Sequence, residues 1–414
     1  MREAGAAIRA VRASPRLAET FHALCDFGGR LAGTDSELAA RDFVSQRLDQ
    51  IGPARRDHAF GLTGWQPAAA SAVLTAAGRS HDLDVVTLPG SPPLSRARLP
   101  VTDGEPALRS DAAPGHAVLV SHGYPFRRGH VHRRVKYRRA CESGAVAFLI
   151  ANDVPGIGPV TGGVGGLTSA PDIPAAGLSH ESGALVRAAL RNGPADITLA
   201  VAAYQQSWTA RNLVLDIPGR GDEWVVLCAH LDGHQLAESA LDNASGVAVM
   251  LEIGRVLADV VPSLRCGLRI IAFTAEERGL QGSQRYVADL SADERRQIRC
   301  AIALDTVTGD SRLSALTGGD QGMEALAGRV AAASGTPVDI VRPLLPNSDH
   351  YSFQAAAIPA MRLLSGYGDP ASPARYLLTS RDRRDAVGPV RLGAAAAVAA
   401  TAVLAACAGP PGPA

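Results

Sequence analysis

The chain has 414 residues, 46% of them hydrophobic and 20% charged, with a formal net charge of +1. That apolar fraction can fill the core of two domains, or of one large α/β domain carrying an insertion. So small a net charge provides no bulk attraction to nucleic acid or to an anionic membrane, and neither is expected as a partner.

Every basic side chain except Lys136 is arginine. The first 21 residues contain no continuous apolar stretch, so no signal peptide is expected and the expected location is cytoplasmic. Residues 16–51 predict amphipathic helices, with Gly33-Thr34-Asp35 as break and cap and Gly52 as terminator. From about residue 53 to 100 the pattern changes to short β-like runs that end in a Pro-rich linker, LPGSPPLSRARLP. Residues 116–120 then predict a strand, RRVKYRRACESGA a helix, and 146–150 a second strand. A glycine-rich loop (GIGPVTGGVGG), a third run at 173–178 and a helix from Ser182 follow. This βαβ-like unit holds no ligand constellation of its own. It predicts a second domain at residues 66–205, inserted between flanking parts at 1–65 and 206–414.

Two features of the insert invite a functional reading. The glycine-rich loop lacks the GxxxxGK[ST] pattern of a phosphate cradle and reads as a flexible loop. The basic run from Arg127 to Arg139 reads most simply as a charged helix and its lead-in. The alternative is that it lines a cleft and recognises an anionic group, because arginine forks suit carboxylates.

The six cysteines (Cys25, Cys141, Cys228, Cys266, Cys300 and Cys407) form no CxxC pair, and no disulfide framework is expected. Cys228 and Cys300 fall within predicted strands as small core residues. The Ala-rich stretch 392–408 is about as long as the shortest membrane spans. It is only weakly hydrophobic, and it predicts the last packed helix of the fold.

Chemistry concentrates after residue 224. The apolar run 225–229 predicts a buried parallel strand that delivers His230 and Asp232 at its carboxyl end, where open α/β sheets place ligands. Asp242 opens the next predicted helix. Strand 268–273 ends in Thr274-Ala275-Glu276-Glu277, and strand 301–304 ends in Asp305. Three strand ends handing imidazole and carboxylates to one edge point to a metal site above a salt-bridge network. Adjacent Glu276 and Glu277 suit a division of labour, one on metal and one facing water. Asp242 is placed to bridge two ions, and Asp232 to hold the other ring nitrogen of His230.

The segments HLDG…SALDNASGVAVMLE, TAEERGLQGSQRYV and ALDTVTGD resemble the di-zinc aminopeptidases and carboxypeptidases of peptidase family M28. The insert is similar to the protease-associated (PA) domain that many members carry. The resemblance implies an α/β fold, a three-layer, mostly parallel sheet flanked by helices (the zinc exopeptidase fold), with an inserted smaller PA-like α/β domain. It implies one or two zinc ions per chain: His230 and Asp305 on one, Asp242 bridging, Glu277 on the other. Glu276 would be the general base, Asp232 would orient His230, and Asp349 of the NSDHYSF segment would join the polar network. The family's last zinc histidine has no counterpart, because Leu378 stands at its position. His350 or His234 substitutes for it, or one metal site is incomplete. The activity implied is zinc-dependent hydrolysis of peptide or amide bonds, most simply by an aminopeptidase. Two alternatives stay open: a single-metal relative acting on a small specialised amide, and a non-catalytic binding descendant. The oligomeric state is not legible.

Overall fold

Alternate side chains of the apolar runs enter different buried clusters, and in the computed structural model these runs form one continuous sheet. Residues 2–104, 114–164, 172–310 and 312–409 are described below. The chain enters through helices α1 (Arg2–Ala13), α2 (Pro15–Asp26) and α3 (Asp35–Ile51). The Thr34 side chain caps α3 by accepting the Glu37 N–H, and the Gly52 N–H closes it on the Leu48 carbonyl.

The insert follows as β1 (Arg55–Ala76), β2 (Arg79–Leu83), β3 (Val85–Thr87), β4 (Leu94–Asp103), β5 (Ala117–Ser121), α4 (Arg133–Glu142), β6 (Ala147–Ala151), β7 (Ala175–Leu178), α5 (His180–Asn192) and β8 (Ala195–Ile217). Strands β4 to β7 run parallel in sequence order. Where short runs were expected, β1 is one strand of 22 residues, paired antiparallel with β8 from Arg55↔Leu215 to Ala76↔Ala195. The positions 65 and 205 fall inside these two strands, so the ribbon passes without interruption from one body to the other.

The second half contains β9 (Trp224–His230), α6 (Ser245–Leu257), β10 (Gly267–Phe273), α7 (Gln281–Asp289), α8 (Ala292–Gln297), β11 (Ile298–Leu304), β12 (Leu313–Leu316), α9 (Gln321–Ser334), β13 (Val338–Val341), α10 (His350–Ala355), β14 (Ala360–Ser365) and α11 (Pro389–Ala408). The sheet order here is β13-β12-β14-β11-β9-β10-β8, with β9 parallel to both β10 and β11. Consecutive strands β10 and β11 therefore lie on opposite sides of β9. Connections that diverge in this way leave a crevice at the carboxyl ends of the strands.

On β9, Val225, Leu227 and Ala229 enter the core shared with α6 and α11, while Val226 and Cys228 face Phe273, Tyr286 and Phe353. The same alternation on β5 and β6 gives the insert a core of its own on one face. All six cysteines are buried and free. Within α11 the window Arg391–Ala408 is long and apolar enough to cross a membrane, yet 78% of it is buried inside the fold.

Candidate metal centre and its cleft

His230 is the last residue of β9. Its Nε2 lies 3.0 Å from Asp242 Oδ1 and 3.6 Å from Asp305 Oδ1. Its Nδ1–H donates to the main-chain carbonyl of Asp232 at 3.1 Å, closer than the Asp232 carboxylate at 3.7 Å. That carboxylate instead accepts the N–H groups of Glu276 (3.0 Å) and Glu277 (3.1 Å). Asp232 thus ties the end of β9 to the turn after β10.

Asp242 does not open a helix as expected. It sits in a tight turn, Ala240–Ala244, with non-helical backbone (φ −121°, ψ 84°), and α6 begins only at Ser245. One local and several long-range bonds hold this turn. Asn243 accepts the Gly246 N–H at 2.9 Å and donates to the Leu304 carbonyl at 2.8 Å. Asp382 accepts the N–H groups of Leu241 (2.7 Å) and Asp242 (3.3 Å).

Ligand atoms of His230, Glu276 and Asp305 all lie within 4.8 Å of one another. Arg362 on β14 reaches Asp305 Oδ1 at 3.0 Å, and with His230 it overcomes burial to hold that carboxyl below the usual carboxylate range. Burial pushes Glu276 well above that range against the pull of His230, and Glu277, Asp305 and Asp349 add to the push. Burial likewise raises Glu277, with Asp242 next to it. Against its burial, His230 is drawn well above its ordinary value by Glu276, Asp232, Asp242 and Asp305. Acids crowded around one imidazole are what a divalent cation neutralises. Buried His230 Nε2, Asp242 Oδ1 and Glu277 Oε1 make no hydrogen bond, although the first two are 3.0 Å apart. Buried polar atoms normally have partners. This mixed nitrogen and oxygen donor set fits a zinc-type ion.

The other predicted residues fall around this group. Asp349 precedes α10, buried, with Oδ1 unpartnered and its carboxyl raised to about 7 by burial. His350 opens α10 with both ring nitrogens buried and unpartnered, and burial lowers it to about 3. Among the described residues it does not join the His230, Glu276 and Asp305 group. His234 Nε2 is also unpartnered, 3.8 Å from Asp382, while its Nδ1 accepts the Leu236 N–H. Leu378 stands on the cleft wall with a left-handed backbone (φ 61°). Neither His350 nor His234 lines that cleft.

Two arginines escaped the sequence reading. Arg362 and the fully buried Arg30 each stand in apolar surroundings (AMRLLS and FGGRLAG), and an unexplained buried charge was the available signal. Arg30 donates to the carbonyls of Leu24, Leu231, Glu238 and Ser239, so it staples the loop between His230 and Asp242 to α2.

The cleft over these carboxylates is partly open to solvent. One wall carries Asp242, Glu276, Glu277 and Asp305; the insert adds Phe126, His132, Arg133 and Arg134. Of the two readings of the basic run, the structure agrees with the one in which it lines a cleft for its residues at the amino end of α4. Arg138 and Arg139, one turn further along α4, are exposed. The glycine-rich loop packs against the backbone beside the cleft. Thr161 N–H donates to the Leu378 carbonyl at 2.8 Å, and a Cβ on Gly163 would fall 2.1 Å from the Glu277 carbonyl. Only glycine permits that approach. The loop's last two glycines, at 165 and 166, lie outside the described residues.

Residues 212–403 match the model of peptidase family M28, and residues 85–186 match that of the PA domain. The chain is 29% identical over 288 residues to Aminopeptidase YwaD of Bacillus subtilis (strain 168), covering 68% of this chain and 58% of that protein. It is 28% identical over 258 residues to Leucine aminopeptidase 2 of Trichophyton equinum, covering 61% and 49%. The chain spans about half the length of the curated relatives it matches. Among solved structures, the peptidase M28 precursor from Shewanella amazonensis SB2B superposes with a TM-score of 0.82 at 20% identity, covering 98% and 96% of the two chains. An aminopeptidase from Aneurinibacillus sp. strain AM-1 gives 0.71 at 25% identity, covering 96% and 94%. The fold is the expected one, a helix-flanked central sheet with a PA domain inserted ahead of strands β9 to β11.

Proposed function

Because residues 212–403 are a peptidase family M28 region and residues 85–186 a PA domain, we propose that this chain is a zinc-dependent hydrolase of peptide or amide bonds, in the simplest case an aminopeptidase. The observation that carries the reading is the convergence of His230, Glu276 and Asp305 at three neighbouring strand ends, with Asp242 reaching His230 from the turn before α6. The similar curated proteins are aminopeptidases, which supports the same reaction class.

His230, Asp242 and Asp305 would hold one zinc ion, and Asp242 with Glu277 would offer part of a second site. A bound zinc supplies Lewis acidity to a water molecule and to the scissile carbonyl. Asp232 fixes His230 with Nδ1–H pointing at its carbonyl, which leaves Nε2 free as a ligand atom. Glu276 takes the proton of the attacking water and returns it to the leaving amine. Its upward-shifted carboxyl suits a group that must both accept and release a proton. The glycine-rich loop, closing on Glu277 and Leu378, limits water on that side.

Leu378 favours a second reading within the same reaction, one tight zinc and a second weak or absent, because the cleft wall there bears no ligand atom. The test is to load the purified protein with zinc, measure metal content, and assay aminoacyl and N-acyl amides. Absence of hydrolysis across both panels by the metal-loaded, folded protein would falsify the proposal.

A further inference from the structure

The cleft wall opposite Glu276 includes one side chain to which the chemistry above gives no part, His132 of the insert. It stands immediately before α4 and caps that helix. Its Nδ1 accepts the Arg134 N–H at 3.3 Å. A ring nitrogen that accepts from an amide carries no proton, so in a neutral imidazole the proton sits on Nε2. Neutral is the form the surroundings impose. Burial first, then the charges of Arg133, Arg134, His130 and Arg362, hold the ring well below its ordinary value. The cap therefore selects one tautomer and leaves Nε2–H as a fixed donor. Among the described residues that nitrogen has no hydrogen-bond partner, and the ring is half-buried.

This donor shares its cleft with the groups that carry the reaction. Asp242, Glu276 and Asp305 line the same space, and Arg362, one of the charges acting on the ring, is bonded to Asp305 at 3.0 Å. Phe126, Leu377 and Leu378 make the neighbouring wall apolar. In such a setting a hydrogen bond to a growing negative charge is stronger than in water. Amide hydrolysis creates that charge on the carbonyl oxygen. On the one-zinc reading that oxygen has no second cation near it, and a preorganised N–H is a physical alternative.

We propose that His132 is a catalytic hydrogen-bond donor, its Nε2–H held against the oxygen on which negative charge develops as the scissile carbonyl is attacked. The inference rests on the hydrolase reading of the metal centre opposite. The oxygen of water bonds to the carbonyl carbon, the C=O electron pair moves onto the carbonyl oxygen, and Glu276 takes the proton. His132 gives up no proton; it shares Nε2–H with that oxygen while the charge lasts. When the pair returns, the C–N bond breaks and the proton on Glu276 passes to the amine nitrogen. The bond is strongest in the transition state, so its loss falls on kcat and spares KM.

His132→Asn separates this role from capping, because asparagine is a good helix cap but does not reach as far as Nε2. The zinc-loaded variant should keep its fold and its zinc affinity in chelator competition, while kcat falls about 10²- to 10³-fold at nearly constant KM. A rate close to wild type overturns the donor and leaves the hydrolase reading standing, and so does a loss carried by KM or by zinc. Nitrogen NMR of histidine-labelled protein reads the tautomer from the ring signals that His132→Asn lacks; a proton on Nδ1 also overturns the donor. A phosphinate dipeptide, whose charged oxygens mimic the attacked carbonyl, covers a wild type that hydrolyses no amide. Binding that weakens about 10²-fold or more in zinc-loaded His132→Asn then supports the donor while the hydrolase reading falls. Equal binding by wild type and variant overturns the donor, and no binding overturns both.

Discussion

Leu378→His should raise tightly held zinc from one ion per chain to two. Leu378 lines the same cleft as Asp242 and Glu277, so a ring at this position enters the space those carboxylates face. The backbone is already suited to the change. At φ 61° a leucine carries a steric cost of roughly 1–2 kcal/mol, whereas histidine is enriched in that region among non-glycine residues. The lost burial of the leucine, about 1.5–3 kcal/mol, works in the opposite direction, so net stability should change little. The metal term is larger. Structural zinc sites bind with about 10–16 kcal/mol over four ligands, or roughly 2.5–4 kcal/mol per ligand. One added imidazole should therefore tighten the second site by roughly 10²- to 10³-fold. Elemental analysis after dialysis against buffered zinc counts the ions, and chelator competition measures their affinity. Leu378→Asn is the control, since it accepts the same backbone with a poorer ligand. Two tightly held ions in the unmodified protein would refute the reasoning and would make His350 or His234 the missing ligand. So would a folded Leu378→His variant that still holds one.

Three further outcomes follow from the same geometry. Glu276→Gln should retain fold and metal while turnover falls about 10²- to 10⁴-fold; near-normal rates at saturating metal would remove Glu276 as the base. Asp232→Asn turns an amide N–H₂ toward one of the two N–H groups the carboxylate now accepts, and metal affinity should fall about 10- to 100-fold. Unchanged chelator competition would show that the link between β9 and the Glu276 turn is dispensable. Burial, followed by the charge of Asp232, raises Glu37 to about 7 from 4.5. The native state then holds a proton that the unfolded chain has lost. Stability from this group is full below pH 4.5 and declines by about 3 kcal/mol as pH rises to 7. Thermal unfolding of Glu37→Gln should lack that decline, and parallel pH profiles for variant and wild type would contradict the assignment.

Much of the centre was legible because it is encoded locally. Apolar β-branched runs specify buried strands, and the residues just after them specify what those strands present. His230, Glu276, Glu277 and Asp305 could therefore be placed at one sheet edge from sequence alone. The resemblance to peptidase family M28 added the fold, which the comparisons bear out, and the importance of Leu378. Asp242 was assigned the right neighbourhood but the wrong local structure. Its turn is held by Asn243 on Leu304 and by Asp382, contacts 61 and 140 residues away in sequence that no local pattern encodes.

The position of the arginine run belongs to the tertiary structure entirely. Arg133 and Glu277 are far apart in the chain, and only the continuous β1–β8 ribbon folds the insert back over the strand ends. The helical period of α4 then divides the run, sending Arg133 and Arg134 into the cleft and leaving Arg138 and Arg139 in solvent. Arg362 is similar: its charge is visible in an apolar strand, but its partner is decided by the pairing of β11 with β14, which sets it beside Asp305. By itself the sequence determined which candidate donor atoms this protein owns and at which strand ends they emerge, because both are properties of short stretches. Which of those atoms meet, which charges stay unpaired and which wall they face were decided by strand order and by the docking of the insert, because those contacts form only when distant segments pack.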